Sequence, residues 1–261
     1  MAFLFISGLR QPVTKEQELT HNSLPCEKCP LRKRNIFRDF EADELDFVGR
    51  FKKGDLAVKK GATVLVEGAH NPHLYTVLSG WGFRYKLLED GRRQIVNYVM
   101  PGDLVGLQGS LLGEMKHSVE ALSQMVLCVF EKAELFSLYR KFPELAYDIT
   151  WIASREECML DDNLLTVGRR TALEKVAYLL VFILERSRQS GLTKNGTLSI
   201  TQQHVADTLG ISVVHTNKTI ARLMERGHLK WEDGGCRILN PEALAELAGW
   251  TAERAGKRPF L

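Results

Sequence analysis

The densest set of side chains able to contact a macromolecule lies between Thr201 and Arg226. Gln202 and Gln203 open a short amphipathic stretch whose Val205 and Leu209 point inward and which stops at Gly210, a residue free to take the positive φ of a tight turn. Ile211 is placed to plug the gap and Ser212 to cap a second helix. On that helix Thr216, Ile220, Leu223 and Met224 recur at spacings of three and four, the stripe of a helix packed on one side. Val213, Val214, His215, Asn217, Lys218 and Arg222 are left for the open surface. Their chemistry suits duplex DNA: valines against thymine methyl groups, Asn217 against adenine, Lys218 against guanine or phosphate. Gln202, Gln203 and Arg222 suit phosphate oxygens, with Gln202 also in range of a base edge. From Val213 to Lys230 four fixed cations, Lys218, Arg222, Arg226 and Lys230, stand against one anion, Glu225. LeuLysTrp, GluAspGlyGly and CysArgIleLeu then predict a hairpin turning at Gly234-Gly235, a wing beside the helix pair. The plainer alternative is a helical hairpin with no base-reading role.

Thiols form the second group. Cys26-Glu27-Lys28-Cys29 is a CxxC pair, and Cys128 stands in an apolar run. Three readings are open: structural cysteines, a metal or iron–sulfur centre, or a thiol switch helped by Lys28, Arg32, Lys33 and Arg34. Cys158 and Cys236 have no visible sequence partner and are read as structural. A thioredoxin-like redox enzyme needs its CxxC after a strand and opening a helix, which Pro25 and the basic stretch beyond it do not offer. Neither a Ser/His/Asp set nor a phosphate-binding glycine loop is visible, so no enzyme is expected.

These groups need scaffolds. With 261 residues, 44% of them hydrophobic, the chain has material for two cores, and a net charge of +3 leaves nucleic-acid affinity to local clustering. The longest apolar run, Val176 to Leu184, has nine residues, too few to span a bilayer. No basic leader precedes the first apolar residues and five cysteines make no disulfide framework, so a cytoplasmic protein is expected. Residues 1–23 read as a loosely held arm. From Leu56 to Phe130 glycine-punctuated β-rich runs predict a small antiparallel roll, with its clearest turn at Asp90-Gly91. Leu138, Phe142, Leu145, Ile149, Ile152, Met159 and Thr166 then follow helical steps, a seam expected to pair two copies of one long helix. Gly168-Arg169-Arg170 marks a hinge before a helix from Ala172, and Asn240-Pro241 caps a last one.

Two of these stretches, IleThrGlnGlnHisValAlaAspThrLeuGlyIleSer (200–212) and MetProGlyAspLeuValGly (100–106), resemble the helix-turn-helix entry and the β-roll turn of the Crp/Fnr family of bacterial transcription regulators. The resemblance extends from about Leu24 onward. It implies an α+β fold: an N-terminal antiparallel β-roll of the cyclic-nucleotide-binding jelly-roll kind, a long dimerisation helix and a C-terminal winged helix-turn-helix. The expected divisions are 24–135 for the sensor roll, 136–168 for the dimerisation helix and hinge, and 169–261 for DNA binding. It also implies a homodimer on a pseudo-palindromic operator, with RNA polymerase as a further partner and no membrane. The family's cyclic-nucleotide cassette uses a glycine–glutamate and an arginine–serine pair; here Gly106 and Ser118 match, while Leu107 and His117 replace the glutamate and the arginine. Cyclic AMP is therefore not the expected ligand. Oxygen-sensing Fnr proteins carry a cysteine set that Cys26, Cys29 and Cys128 match in part, with Asn35 where a further N-terminal cysteine would stand. The family's usual base readers, Glu or Arg early in the recognition helix, are here Val213 and Val214, so its usual half-site is not expected either.

Overall fold

A computed structural model describes residues 17–20, 24–193, 196–232, 234–251 and 256–261. The roll is built from β1 (Gln17–Thr20), β2 (Lys52–Val58), β3 (Thr63–Leu65), β4 (His73–Ser79), β5 (Gly82–Leu87), β6 (Arg93–Val99), β7 (Leu104–Val105), β8 (Ser118–Ala121) and β9 (Met125–Glu131). A 3-10 turn at Cys26–Lys28 and helix α1 (Ala42–Phe51) precede β2, and α2 (Leu107–Leu112) lies between β7 and β8. One sheet runs β1-β2-β9-β4-β7 and the other β3-β8-β5-β6. Both bury alternate residues against a common interior that holds Val58, Val77, Val119, Met125 and Leu127. The arm expected over residues 1–23 needs one correction: Gln17–Thr20 pair antiparallel with Val58–Asp55, and the rest of that segment lies outside the described residues.

Close backbone approach fixes two positions. Gly80 has φ +73°, and a Cβ there would stand 2.0 Å from the carbonyl oxygen of Gln124. At the β5–β6 turn only Gly91 takes a positive φ, while Asp90 stays on the ordinary side and its carboxylate accepts the amide of Arg92 at 3.0 Å. The turn therefore uses one left-handed residue, where Asp-Gly had suggested two.

Beyond the roll come α3 (Leu135–Lys141) and α4 (Pro143–Arg169). The continuous helix expected from 136 to 168 is thus two. Pro143 occupies the first turn of α4 and pushes Phe142 to φ −132°, ψ 78°, which ends α3. Gly168 and Arg169 stay helical, and the break comes two residues after the glycine, at Arg170. Thr171 then caps α5 (Ala172–Gln189), its hydroxyl accepting the Glu174 amide while the Glu174 carboxylate accepts the Thr171 amide.

The expected seam is also corrected. Leu145 and Ile149 are wholly buried in their own chain with Phe47, Phe51 and Leu138, Ile152 packs at the margin of that cluster, and Met159 is buried against Tyr98 and the α5 core. Each such side chain contributes about 1.5–3 kcal/mol to its own subunit. A different face of α4 is open: Tyr147, Thr150, Ser154, Glu157, Asp161, Leu164 and Gly168 are all exposed.

The C-terminal half comprises α5, β10 (Thr197–Leu198), α6 (Gln202–Leu209), α7 (Val213–Glu225), β11 (Leu229–Glu232), β12 (Gly235–Ile238) and α8 (Pro241–Ala248). Its sheet runs β10-β12-β11. Asn240 caps α8 by accepting the Ala243 amide at 3.0 Å. Residues Val176 to Leu184 are buried throughout, and their cluster is continuous with Trp81, Phe83, Ile95 and Tyr98 of the roll. The two halves share one core. Replacing Gly80 with alanine is expected to cost at least about 2 kcal/mol, since the φ and the overlap with Gln124 act together; urea unfolding of G80A measures it.

Candidate nucleic-acid interface

Helix α6 starts where Thr201 accepts the His204 amide at 3.2 Å and ends at Gly210, which is left-handed at φ 64°. Val205 and Leu209 are buried and Ile211 packs at the edge of the same core. Ser212 caps α7, its hydroxyl accepting the His215 amide at 3.2 Å. Thr216, Thr219, Ile220 and Leu223 form the buried face of α7, whereas Met224, expected inside, is exposed. Val214, His215, Asn217, Lys218 and Arg222 are exposed and Val213 is half-buried. Gln203 is exposed and reaches Asp207 at 2.6 Å; Gln202 is half-buried. The eight residues expected at a DNA surface thus lie on α7 or on the neighbouring start of α6, with Ser212 capping the first. The wing stands next to it, with Leu229 paired to Ile238 and Trp231 to Cys236.

The roll holds this motif in place through polar contacts that no spacing in the sequence announced. Arg93 on β6 meets Asp207 at 2.8 Å, and Gln94 donates to the Thr208 carbonyl at 2.8 Å. The Tyr98 and Thr208 hydroxyls are 2.8 Å apart, and the Phe83 and His204 rings lie 5.4 Å apart. Asp103, in the turn before β7, is buried; burial favours its neutral form, but the guanidiniums of Arg186 on α5 and Arg258 overcome this and hold its pKa down to about 2.

The nucleotide-cassette positions are arranged differently from a phosphate site. Gly106 has φ +97° and caps α2, which Leu107 begins. The Ser118 hydroxyl accepts the Glu67 amide at 3.0 Å. His117 is buried, and desolvation together with the nearby Arg84 and Lys86 lowers its pKa to about 3. The ring is therefore neutral and gives no positive anchor. Its folded value lies below the ordinary 6.5, so the stability it supports is complete above that pH and is lost as pH falls from 6.5 toward 3. Urea unfolding between pH 7.5 and 4.5 should show wild type losing stability faster than H117Q; parallel curves would contradict the assignment.

Cys26, Cys29 and Cys128 do come together, at the edge of the aromatic cluster of α1 and β9. Burial raises the Cys128 and Cys26 thiols, and the opposing pull of Lys52 does not compensate. The Lys52 ammonium is itself engaged, at 2.7 Å from Asp55 and 2.8 Å from the Leu24 carbonyl. Asn35 and Asp39 are exposed, and among the described residues no group of three or more His, Cys, Asp or Glu side chains could hold a metal. This donor set does not fit a [4Fe-4S] cluster. Lys52 is the cation that pulls on these thiols, while Arg32 donates to the Glu27 carbonyl and Arg34 to that of Ser190. With their thiols raised, Cys26 and Cys128 behave as small apolar side chains at this cluster. Cys236 is buried and pushed up to about 12, also by desolvation, and Cys158 is exposed.

Comparison with known proteins matches the cyclic nucleotide-binding domain over residues 55–142 and the Crp-like helix-turn-helix domain over residues 174–247. The nitrogen fixation regulation protein FixK of Bradyrhizobium diazoefficiens is 32% identical over 85% of this chain and 93% of its own length. The fumarate and nitrate reduction regulatory protein of Escherichia coli K12 is 27% identical over 88% of this chain and 92% of its own. Among solved structures, FixK2 from Bradyrhizobium japonicum superposes with a TM-score of 0.65 at 25% identity, covering 76% of this chain and 98% of that one. No helix among the described residues is long and apolar enough to cross a membrane. With roll, long helix and winged helix-turn-helix in that order, the chain belongs to the Crp/Fnr family of DNA-binding transcription regulators.

Proposed function

We propose that the chain acts in the cytoplasm as a homodimer that lays one copy of α7 in each of two major-groove segments of a pseudo-palindromic operator. The observation that carries this is the division of α7: Thr216, Thr219, Ile220 and Leu223 are fixed inward, so Val214, His215, Asn217 and Lys218 project together from its leading half. Asn217 and Lys218 read base edges, Val213 and Val214 touch thymine methyl groups, and Gln202, Gln203 and Arg222 hold phosphates. Half-sites about one helical turn apart follow from two-fold symmetry. RNA polymerase is the further partner of such a regulator.

The outward face of α4 supplies the dimer contact. Its exposed positions advance by steps of three and four from Tyr147 to Gly168, and Leu160, Leu164 and Leu165 are its apolar members near the end. Asp161 on this face meets its symmetry mate, so like charge weakens association there. The signal is not a cyclic nucleotide, because neutral His117 and Leu107 supply neither the cation nor the carboxylate such a ligand uses.

Selection of bound duplexes from a random-sequence pool tests the reading and yields the operator. On it, Asn217→Ala is expected to cost about 1–3 kcal/mol and relax preference at one base pair, while Arg222→Ala lowers the slope of affinity against salt by about one. Leu164→Glu should shift sedimentation toward monomer and Asp161→Ala toward dimer. Enrichment of no sequence at all would reject the regulator reading for these residues.

A further inference from the structure

Residues 256–261 leave the DNA-binding half and lie across the sensor half. The Arg258 amide donates to the Ile36 carbonyl at 2.7 Å and its own carbonyl accepts the Arg38 amide at 2.9 Å, a parallel bridge between opposite ends of the chain. The Arg258 guanidinium reaches Asp103 at 3.1 Å and the Pro101 carbonyl at 2.8 Å, and lies 4.7 Å from the Phe37 ring centre. Phe260 packs between Phe37 and Phe40, at 5.0 Å and 4.9 Å, and is buried together with Leu261. Gly102 makes the seat possible, since a Cβ there would fall 2.3 Å from the Phe37 ring. The same N-terminal segment also sends Arg34 to the Ser190 carbonyl at the end of α5.

We propose that residues 256–261 are a strap that fixes the orientation of the recognition helix, and that its seat on residues 34–40 is a route, separate from the β6 contacts to α6, by which the sensor half governs DNA binding. Asp103 is the meeting point: it takes one guanidinium from α5 and one from the strap. Removing the strap leaves that buried carboxylate half paired and opens an aromatic seat. The recognition helix is then held to the roll by the shared core and the β6 contacts to α6, and the distance between the dimer's two recognition helices is less tightly set.

The proposal rests on the DNA-binding reading above, and its test separates the two. Wild type, a chain lacking residues 256–261, R258M and F260A are compared on the wild-type-selected operator and on versions with one base pair added or removed between half-sites. Circular dichroism melting establishes that each variant is folded. Without the strap, affinity is expected to fall about tenfold and most discrimination between spacings to vanish, with R258M and F260A intermediate. Hydrogen exchange, which needs no DNA, should show faster exchange over residues 202–226 in the strapless chain. Unchanged exchange with unchanged spacing preference overturns the strap, as does tighter binding on its removal. A wild type that selects no operator sinks the DNA reading instead, and exchange alone then decides the strap.

Discussion

The buried carboxylate of Asp103 is the interaction on which the posture of this molecule depends. It accepts the Met100 amide at 2.7 Å within its own turn, then Arg186 from the DNA-binding half and Arg258 from the last described segment. Such a cluster adds modest stability over well-packed apolar groups, but losing one partner is costly. Its effect is therefore selective. It penalises every orientation of the two halves in which a guanidinium fails to arrive. Arg93, Gln94 and Tyr98 on β6 enforce the same orientation by gripping Asp207 and Thr208 on α6.

How far the residues disclose this arrangement varies with the range of the forces involved. The helix-turn-helix was readable because its determinants are local: Val205 and Leu209, the left-handed Gly210, the Ser212 cap and the Thr216–Ile220–Leu223 stripe all act within about a turn of helix. Met224 continues the spacing but falls past the packed zone and is exposed. The α4 stripe shows the limit of periodicity. Leu145 and Ile149 declare an apolar face but not its cover, which α1 and β9 of the same chain supply. Strand β2 escaped notice because Lys52, Gly54 and Asp55 break the alternation; pairing with β1 and β9 on its two edges imposes the extended form. Cysteine spacing likewise carries no information about burial, which is what decides thiol chemistry here. The Asp103–Arg186, Arg93–Asp207 and Asp103–Arg258 contacts join residues 83, 114 and 155 positions apart, and nothing in the intervening sequence records them.

The roll keeps the outline of a nucleotide receptor with altered contents. Ser118 serves a neighbouring backbone amide, Gly106 turns the chain into α2, and His117 is an uncharged ring. The architecture survives because strands β5 and β8 pair through backbone groups and are indifferent to what the cassette recognises. The DNA-binding half meets residues of β5 and β6, the turn at Asp103 and, through Ser190, Arg34.

The shared core has a further consequence. Because Trp81, Phe83, Ile95 and Tyr98 of the roll belong to the same apolar cluster as α5, α6 and α7, severing the chain at Arg170 would lay bare greasy surface on both fragments. Neither piece is a freestanding module, and heat should melt the intact subunit in a single cooperative step, with sensor and reader failing together.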